Sequence, residues 1–320
     1  MPCRRGMTAS AGRWAWPERL WRISARPISI PARRIRTMLK RALLGPVVVA
    51  VGVYAVLCVY LYSVQTQFIF FPSRTIEFTP AVGGCSYEDV TLAVEGQKLH
   101  GWWLPAPLDA KPPFAGKTLV YFHGNGGNVG ANAGHTCRLN RLGFAVFIFD
   151  YRGYGQSDAP PGGKIHERTL YEDGEAALRY VKSERRAERV VLYGHSLGGA
   201  VAIEMAKRHP ESAALITEAA FTSLLDMANK DPVFRLFPVG LILDQKMENE
   251  AKLREVRMPV LVIHGKADTL IPPAMAERLH SAATGPKRLY LVAGAGHDDV
   301  ADTAGADYGA QVAALLEMVK

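Results

Sequence analysis

Ser196 stands between two glycines in VVLYGHSLGGAVA, residues 190–202, after an apolar run rich in β-branched residues and before a helix-forming one. A serine hydroxyl is a weak nucleophile at neutral pH and needs a neighbouring base, which an acid must orient. A G-x-S-x-G turn between strand and helix supplies the geometry. The serine sits on a strained elbow with Oγ above the sheet, and side chains at positions 194 and 198 would collide with neighbouring elements. The same glycines also suit a turn without chemistry, with serine as a helix cap. The rest of the chain has to decide between the two.

The elements that would carry such a serine follow in order after residue 73. EDVTLAV and KLHGWWLPA alternate like strands across a turn-like EGQ. Then come TLVYF and a glycine-rich turn, a helical stretch to Leu142, FAVFIF and a turn, and an amphipathic helix near residues 170–183. Beyond the Ser196 strand and helix lie AALIT, an irregular segment, PVLVIHG, a helix near 274–283, RLYLV and a last helix near 308–319. Continuous apolar strands alternating with helices predict one α/β domain whose mostly parallel central sheet is covered by helices on both faces.

Ligands of such sheets bind at the C-terminal strand ends. The residues there are His123, Gly124, Asn125, Asp150, Ser196, Glu218, Asp268 and His297. They include a serine, candidate acids in Glu218 and Asp268, and a base in His297, freed from regular structure by Gly294 and Gly296. Ser196 opens a helix whose amides favour a developing oxyanion, so the Leu197 N–H is one expected donor and the Asn125 N–H, from the loop after TLVYF, is the second. His123 and His195 read as turn-stabilising, Tyr151, Arg152 and Tyr154 as a supporting turn, and Asp298 and Asp299 as helix caps. FHGNGGNVG followed by Asp150 superficially fits a dinucleotide-binding turn, but the third glycine of that fingerprint would fall at Val129.

Together these features resemble the α/β-hydrolase superfamily. YFHGNGGN, DYRGYGQS, YGHSLGG, IHGKADTLIP and GAGHDD, after an apolar segment ending in FIFFPSR, look like its membrane-anchored members, which include protein depalmitoylases and bacterial serine hydrolases. The resemblance implies Ser196 as nucleophile, Asp268 as orienting acid, His297 as base, and Asn125 and Leu197 as oxyanion-hole residues. It implies ester or thioester cleavage through an acyl-enzyme on Ser196, with a small cap near 221–255 whose apolarity suits an acyl-binding wall. A serine peptidase of aminopeptidase type and a non-catalytic anchored scaffold are the alternatives. Epoxide and haloalkane hydrolases put aspartate where Ser196 stands. The acylated cysteine-rich N-terminus of the eukaryotic depalmitoylases is absent, so their substrate does not carry over. Gly126 stands where relatives often have alanine.

Charge separates the front of the chain from the rest. Residues 1–41 hold 11 Lys/Arg and one acid, whereas the remainder carries 27 bases and 29 acids. The overall +8 therefore gives no nucleic-acid-binding face. No charge occurs from residue 42 to 73. About 20 apolar residues cross a bilayer as a helix, so residues 42–64 are expected to form a single uncleaved signal anchor. The positive-inside rule puts the N-terminus in the cytoplasm and residues 65–320 outside it, in the periplasm of a bacterium. MLKRALLG offers an ordinary anchor start at Met38, which makes 1–37 a doubtful leader.

No cofactor or structural metal is expected, because no Cys/His cluster has metal-site spacing. The expected partners are a small or lipid-like acyl substrate and the membrane. A Cys85–Cys137 disulfide is chemically allowed outside the cytoplasm, and the sequence leaves its formation open.

Overall fold

A computed structural model describes residues 31–319, as two compact units that meet between Ala55 and Val56. The doubtful leader lies mostly outside the described residues. Helix α1 (Ala32–Ile69) runs through both units and past residue 64, where the span was expected to end. Its last turns belong to the larger unit.

In chain order α1 is followed by β1 (Phe71–Pro72), β2 (Glu88–Val94), β3 (Gln97–Leu104), β4 (Lys117–Phe122), β5 (Gly126–Gly127), α2 (Ala133–Leu142) and β6 (Ala145–Phe149). Then come α3 (Glu167–Ser183), β7 (Arg189–His195), α4 (Leu197–Arg208) and β8 (Ala214–Glu218). The segment expected to be a cap holds three short helices, α5 (Leu224–Ala228), α6 (Val239–Ile242) and α7 (Asn249–Leu253). The chain closes with β9 (Val260–Gly265), α8 (Pro273–Ala282), β10 (Lys287–Val292), α9 (Val300–Ala304) and α10 (Ala306–Leu316).

Eight strands form one sheet in the order β10-β9-β8-β7-β4-β6-β3-β2, with β2 and β3 antiparallel at one edge and the others parallel. The alternation of side chains along each strand divides the core into two layers. Val120 and Phe122 of β4, Leu192 of β7 and Val262 of β9 face one side with α3, α4 and α8. Leu119, Tyr121, Tyr193 and Ile263 face the other with α2, α9 and α10. Because both faces are covered, β4, β7 and β9 are apolar almost throughout rather than alternating with polar residues. Cys85 and Cys137 form a disulfide with Cα atoms 5.8 Å apart, tying the turn before β2 to α2.

The small parallel pair of β1 with β5, Phe71 opposite Gly126 and Pro72 opposite Gly127, was not foreseen. Two-residue strands carry too little pattern to be read from sequence. This pair joins the chain just after α1 to the glycine-rich turn after β4.

Candidate active site

Ser196 occupies the turn between β7 and α4 with φ 53° and ψ −119°, a conformation that L residues adopt only when the surroundings force it. A Cβ at Gly194 would lie 2.3 Å from the carbonyl oxygen of Gly198, and one at Gly198 would lie 1.9 Å from that of Phe122. Both glycines are therefore required by contact with backbone that cannot move aside. The Ser196 N–H donates to the Glu218 carbonyl at 2.9 Å, which locks the elbow onto β8. Among the described residues the Ser196 hydroxyl has no hydrogen-bond partner, so it is free to turn. Hydrogen bonds of this kind commonly tighten only when substrate binds.

The loops after β9 and β10 bring Asp268 to His297. His297 Nδ1 and Asp268 Oδ2 are 2.8 Å apart. The other carboxylate oxygen accepts from the Leu270 N–H at 2.9 Å and the Ile271 N–H at 2.8 Å. Burial works against the Asp268 charge, but hydrogen bonds from His264, His297 and the Ile271 N–H outweigh it and hold the carboxyl well below the usual carboxylate range. A carboxylate that stays charged beside Nδ1 leaves Nε2 of His297 as the acceptor. His297 also packs against His195, the residue before the serine, with ring centroids 5.3 Å apart. His195 Nε2 faces the His297 carbonyl at 3.3 Å, in line with a bracing role.

Glu218, the competing acid, makes no contact with His297. Its carboxylate accepts from Tyr193 Oη and Tyr308 Oη, both at 2.8 Å, and lies 3.9 Å from His135. It stabilises the floor beneath the elbow.

Asn125 and Leu197 line one cavity with Ser196. Leu197 opens α4, so its N–H is one of the first-turn donors without a helical partner. The Asn125 loop is fixed from several directions. Its carbonyl accepts from the Phe71 N–H at 2.8 Å and from Tyr154 Oη at 2.9 Å, and its side-chain amide donates to the Ile69 carbonyl at 2.9 Å. Asn128 extends the tie by donating to the Ser73 and Thr75 carbonyls.

Three readings need correction or addition. Asp299 does sit at the start of α9, yet its carboxylate does not cap that helix. It accepts from the Gly296 N–H at 2.6 Å and so braces the loop that presents His297. Asp298 is exposed, its carboxylate 3.9 Å from His195 Nε2. His264 was not singled out from the sequence. It is fully buried with Nε2 2.8 Å from the Ile271 carbonyl and 3.2 Å from Asp268 Oδ2. Its position four residues before the acid, at the end of a strand, was the available signal.

The supporting turn after β6 is built on charge. Arg152, fully buried, pairs with Asp173 at 2.6 Å, Glu172 at 2.8 Å and Glu95 at 3.1 Å. Asp150 accepts from the Val129 N–H at 2.9 Å, so the acid of the dinucleotide-like pattern is occupied by its own chain. His195, His297 and Asp298 bring one ligand atom each within 4.8 Å of one another, a spacing a cation could use, although Asp298 is solvent-exposed.

Comparison with known proteins bears on the family and the fold. Residues 115–240 match the family model described as serine aminopeptidase, S33. The chain is 34% identical over 252 residues to the uncharacterized protein YfhR of Escherichia coli, covering 76% of this chain and 84% of the relative. It is 29% identical over 245 residues to the alpha/beta hydrolase domain-containing protein WAV2 of Arabidopsis thaliana, covering 70% of this chain and 77% of the relative. An esterase of Pyrococcus furiosus superposes with a TM-score of 0.61 at 20% identity, covering 78% of this chain and 97% of the esterase, and so shares the fold. A strained serine elbow at the C-terminal edge of a mostly parallel sheet, in a chain with these relatives, places the protein in the α/β-hydrolase superfamily.

Proposed function

We propose that this hydrolase cleaves carboxylic esters or thioesters through an acyl-enzyme on Ser196. His297 Nε2 takes the hydroxyl proton as Ser196 Oγ attacks the acyl carbon, and Asp268 stabilises the imidazolium that forms. The Asn125 and Leu197 N–H groups hold the oxyanion of the tetrahedral intermediate. His297 then gives its proton to the leaving group. Water attacks the acyl-enzyme by the same route in reverse and frees the serine.

The observation that carries this reading is the Asp268–His297 pair at 2.8 Å, on loops at the same sheet edge as the Ser196 elbow. Esters and thioesters are favoured over peptides by the cavity at Ser196, lined chiefly by Phe, Leu, Ile, Val and Met side chains. The family model's description keeps aminopeptidase activity as the alternative.

α1 is long and apolar enough to span a membrane. We read it as the anchor, with the hydrolase unit outside the cytoplasm. The Cys85–Cys137 disulfide supports an oxidising compartment, and the basic residues before the span support a cytoplasmic N-terminus.

The test is hydrolysis by the purified full chain of nitrophenyl esters and acyl thioesters from two to sixteen carbons, and of aminoacyl naphthylamides, with Ser196→Ala as blank. Serine-dependent ester or thioester turnover is expected. Equal rates for both proteins on every acyl substrate would overturn the reading, and serine-dependent naphthylamide cleavage alone would move it to the peptidase.

A further inference from the structure

The cavity at Ser196 is walled on one side by the cap, through Phe221, Leu224, Phe234 and Ile242, and on the other by the last turns of α1, through Leu61, Gln65, Phe68 and Ile69. Both walls lie in the larger unit, which begins at Val56. Residues 42–69 of α1 carry no charge, a stretch longer than the roughly 20 residues a bilayer requires, so the final turns are available to a second task. From Leu61 to Ile69 the helix advances about 12 Å. Leu61, Gln65, Phe68 and Ile69, spread over that length, line the same cavity as Ser196.

The contacts between the two walls are specific. Gln65 is buried, its amide donating to the Ile242 carbonyl at 3.3 Å and its Oε1 accepting from the Asp244 N–H at 2.9 Å. Phe68 packs edge-on against Phe234 with ring centroids 5.8 Å apart. The loop before α3 adds a further tie to α1, where Lys164 donates to the Ser63 carbonyl at 3.4 Å. Every polar group that Gln65 brings is thereby satisfied inside an apolar wall, which keeps the cavity suited to a hydrocarbon chain. Outside the cavity the cap presents Val233 at 60% exposure and Leu241 at 89%. Exposed apolar side chains of this kind are what a membrane-facing surface carries.

We propose that the cavity is loaded from the bilayer, the occupant of this surface, and that the substrate is a long-chain acyl ester of a membrane lipid. The acyl chain lies between the final turns of α1 and the cap, and its ester carbonyl reaches Ser196 while the chain stays in apolar surroundings. Leu61, Phe68 and Phe234 then set chain-length preference. This inference rests on the ester-hydrolase reading above.

Full-length protein in phosphatidylcholine and phosphatidylglycerol vesicles separates the possibilities. Wild type, Leu61→Trp, Leu241→Glu and Ser196→Ala are compared on four- and sixteen-carbon nitrophenyl esters and on the vesicle phospholipid, with released fatty acid measured by mass spectrometry. Leu61→Trp, which narrows the far end of the cavity, is expected to lower the sixteen- to four-carbon ratio of kcat/KM by about tenfold or more. Leu241→Glu, on the surface rather than in the cavity, is expected to lower vesicle-phospholipid turnover relative to the four-carbon ester. Serine-dependent turnover with both ratios unchanged would overturn bilayer loading. Deacylation of an S-palmitoyl peptide, with vesicle phospholipid cleaved no faster than by Ser196→Ala, would overturn the lipid substrate. Ester rates equal in wild type and Ser196→Ala would instead remove the hydrolase reading itself.

Discussion

The side-chain amide of Asn125 donates to the carbonyl of Ile69, the last residue of α1, at 2.9 Å. The loop proposed to offer an oxyanion N–H is thus hung on the end of the N-terminal helix. Asn125→Ala keeps the backbone donor and removes this tie. We expect kcat to fall about tenfold with KM little changed, because the loss is one of aim rather than of binding. A change confined to KM would argue that the tie serves only substrate binding.

Asp268 and Glu218 are separable by their consequences. Asp268→Asn is expected to lower kcat/KM by about 10³–10⁴-fold with little change in thermal stability, because His297 loses the charge that orients it. Glu218→Gln is expected to cost about 1–3 kcal/mol of stability through its bonds to Tyr193 and Tyr308, with a far smaller kinetic effect. Steady-state kinetics and denaturant unfolding on both variants decide, and the reverse pattern would exchange the two roles.

Gly198 admits no side chain. The Cβ of Gly198→Ala would meet the Phe122 carbonyl, which sits in a central strand and cannot yield. Destabilisation of about 3 kcal/mol or more, with loss of turnover, is expected. An active variant that melts like wild type would show that the elbow is softer than its contacts imply.

Burial lowers the pKa of His135 to about 4, with the nearby Glu218 charge acting weakly in the opposite sense. The folded protein keeps His135 neutral while the unfolded chain protonates it near 6.5. Between pH 6.5 and about 4 the unfolded state therefore binds more protons, and stability falls as the pH is lowered through that window, by about 3 kcal/mol at its end. The depressed Glu218 carboxyl adds loss in the same direction at lower pH. His135→Gln should flatten the slope between pH 6.5 and 4 in urea unfolding. A variant that tracks wild type across that range would place the acid sensitivity elsewhere.

The sheet and the Ser196 elbow were legible because their signals are local: apolar runs of strand length, a serine between two glycines, a histidine in a glycine-freed loop. The motifs also put Ser196, Asp268 and His297 after strands, and strand ends in a parallel sheet converge at one edge. What escaped was fixed by pairings distant in sequence. Nothing in Ile69 or Phe71 announces Asn125, and the helix of α1 continues beyond the expected span, where Gln65 and Phe68 meet the cap. Asp299 carried the signal of a helix cap, and the loop geometry around Gly296 redirected its carboxylate. His264 drew no attention in the sequence because only the fold turns it onto Asp268.

Between α1 and β1 there is a single residue, Phe70, and it is buried. The hydrolase unit, which begins at Val56, therefore has no flexible linker between the last turns of α1 and β1. A cut at this joint would free the strand whose Phe71 N–H holds the Asn125 carbonyl, and with it the loop beside Ser196. The end of α1 and the loop at the site form one part, inherited or lost together.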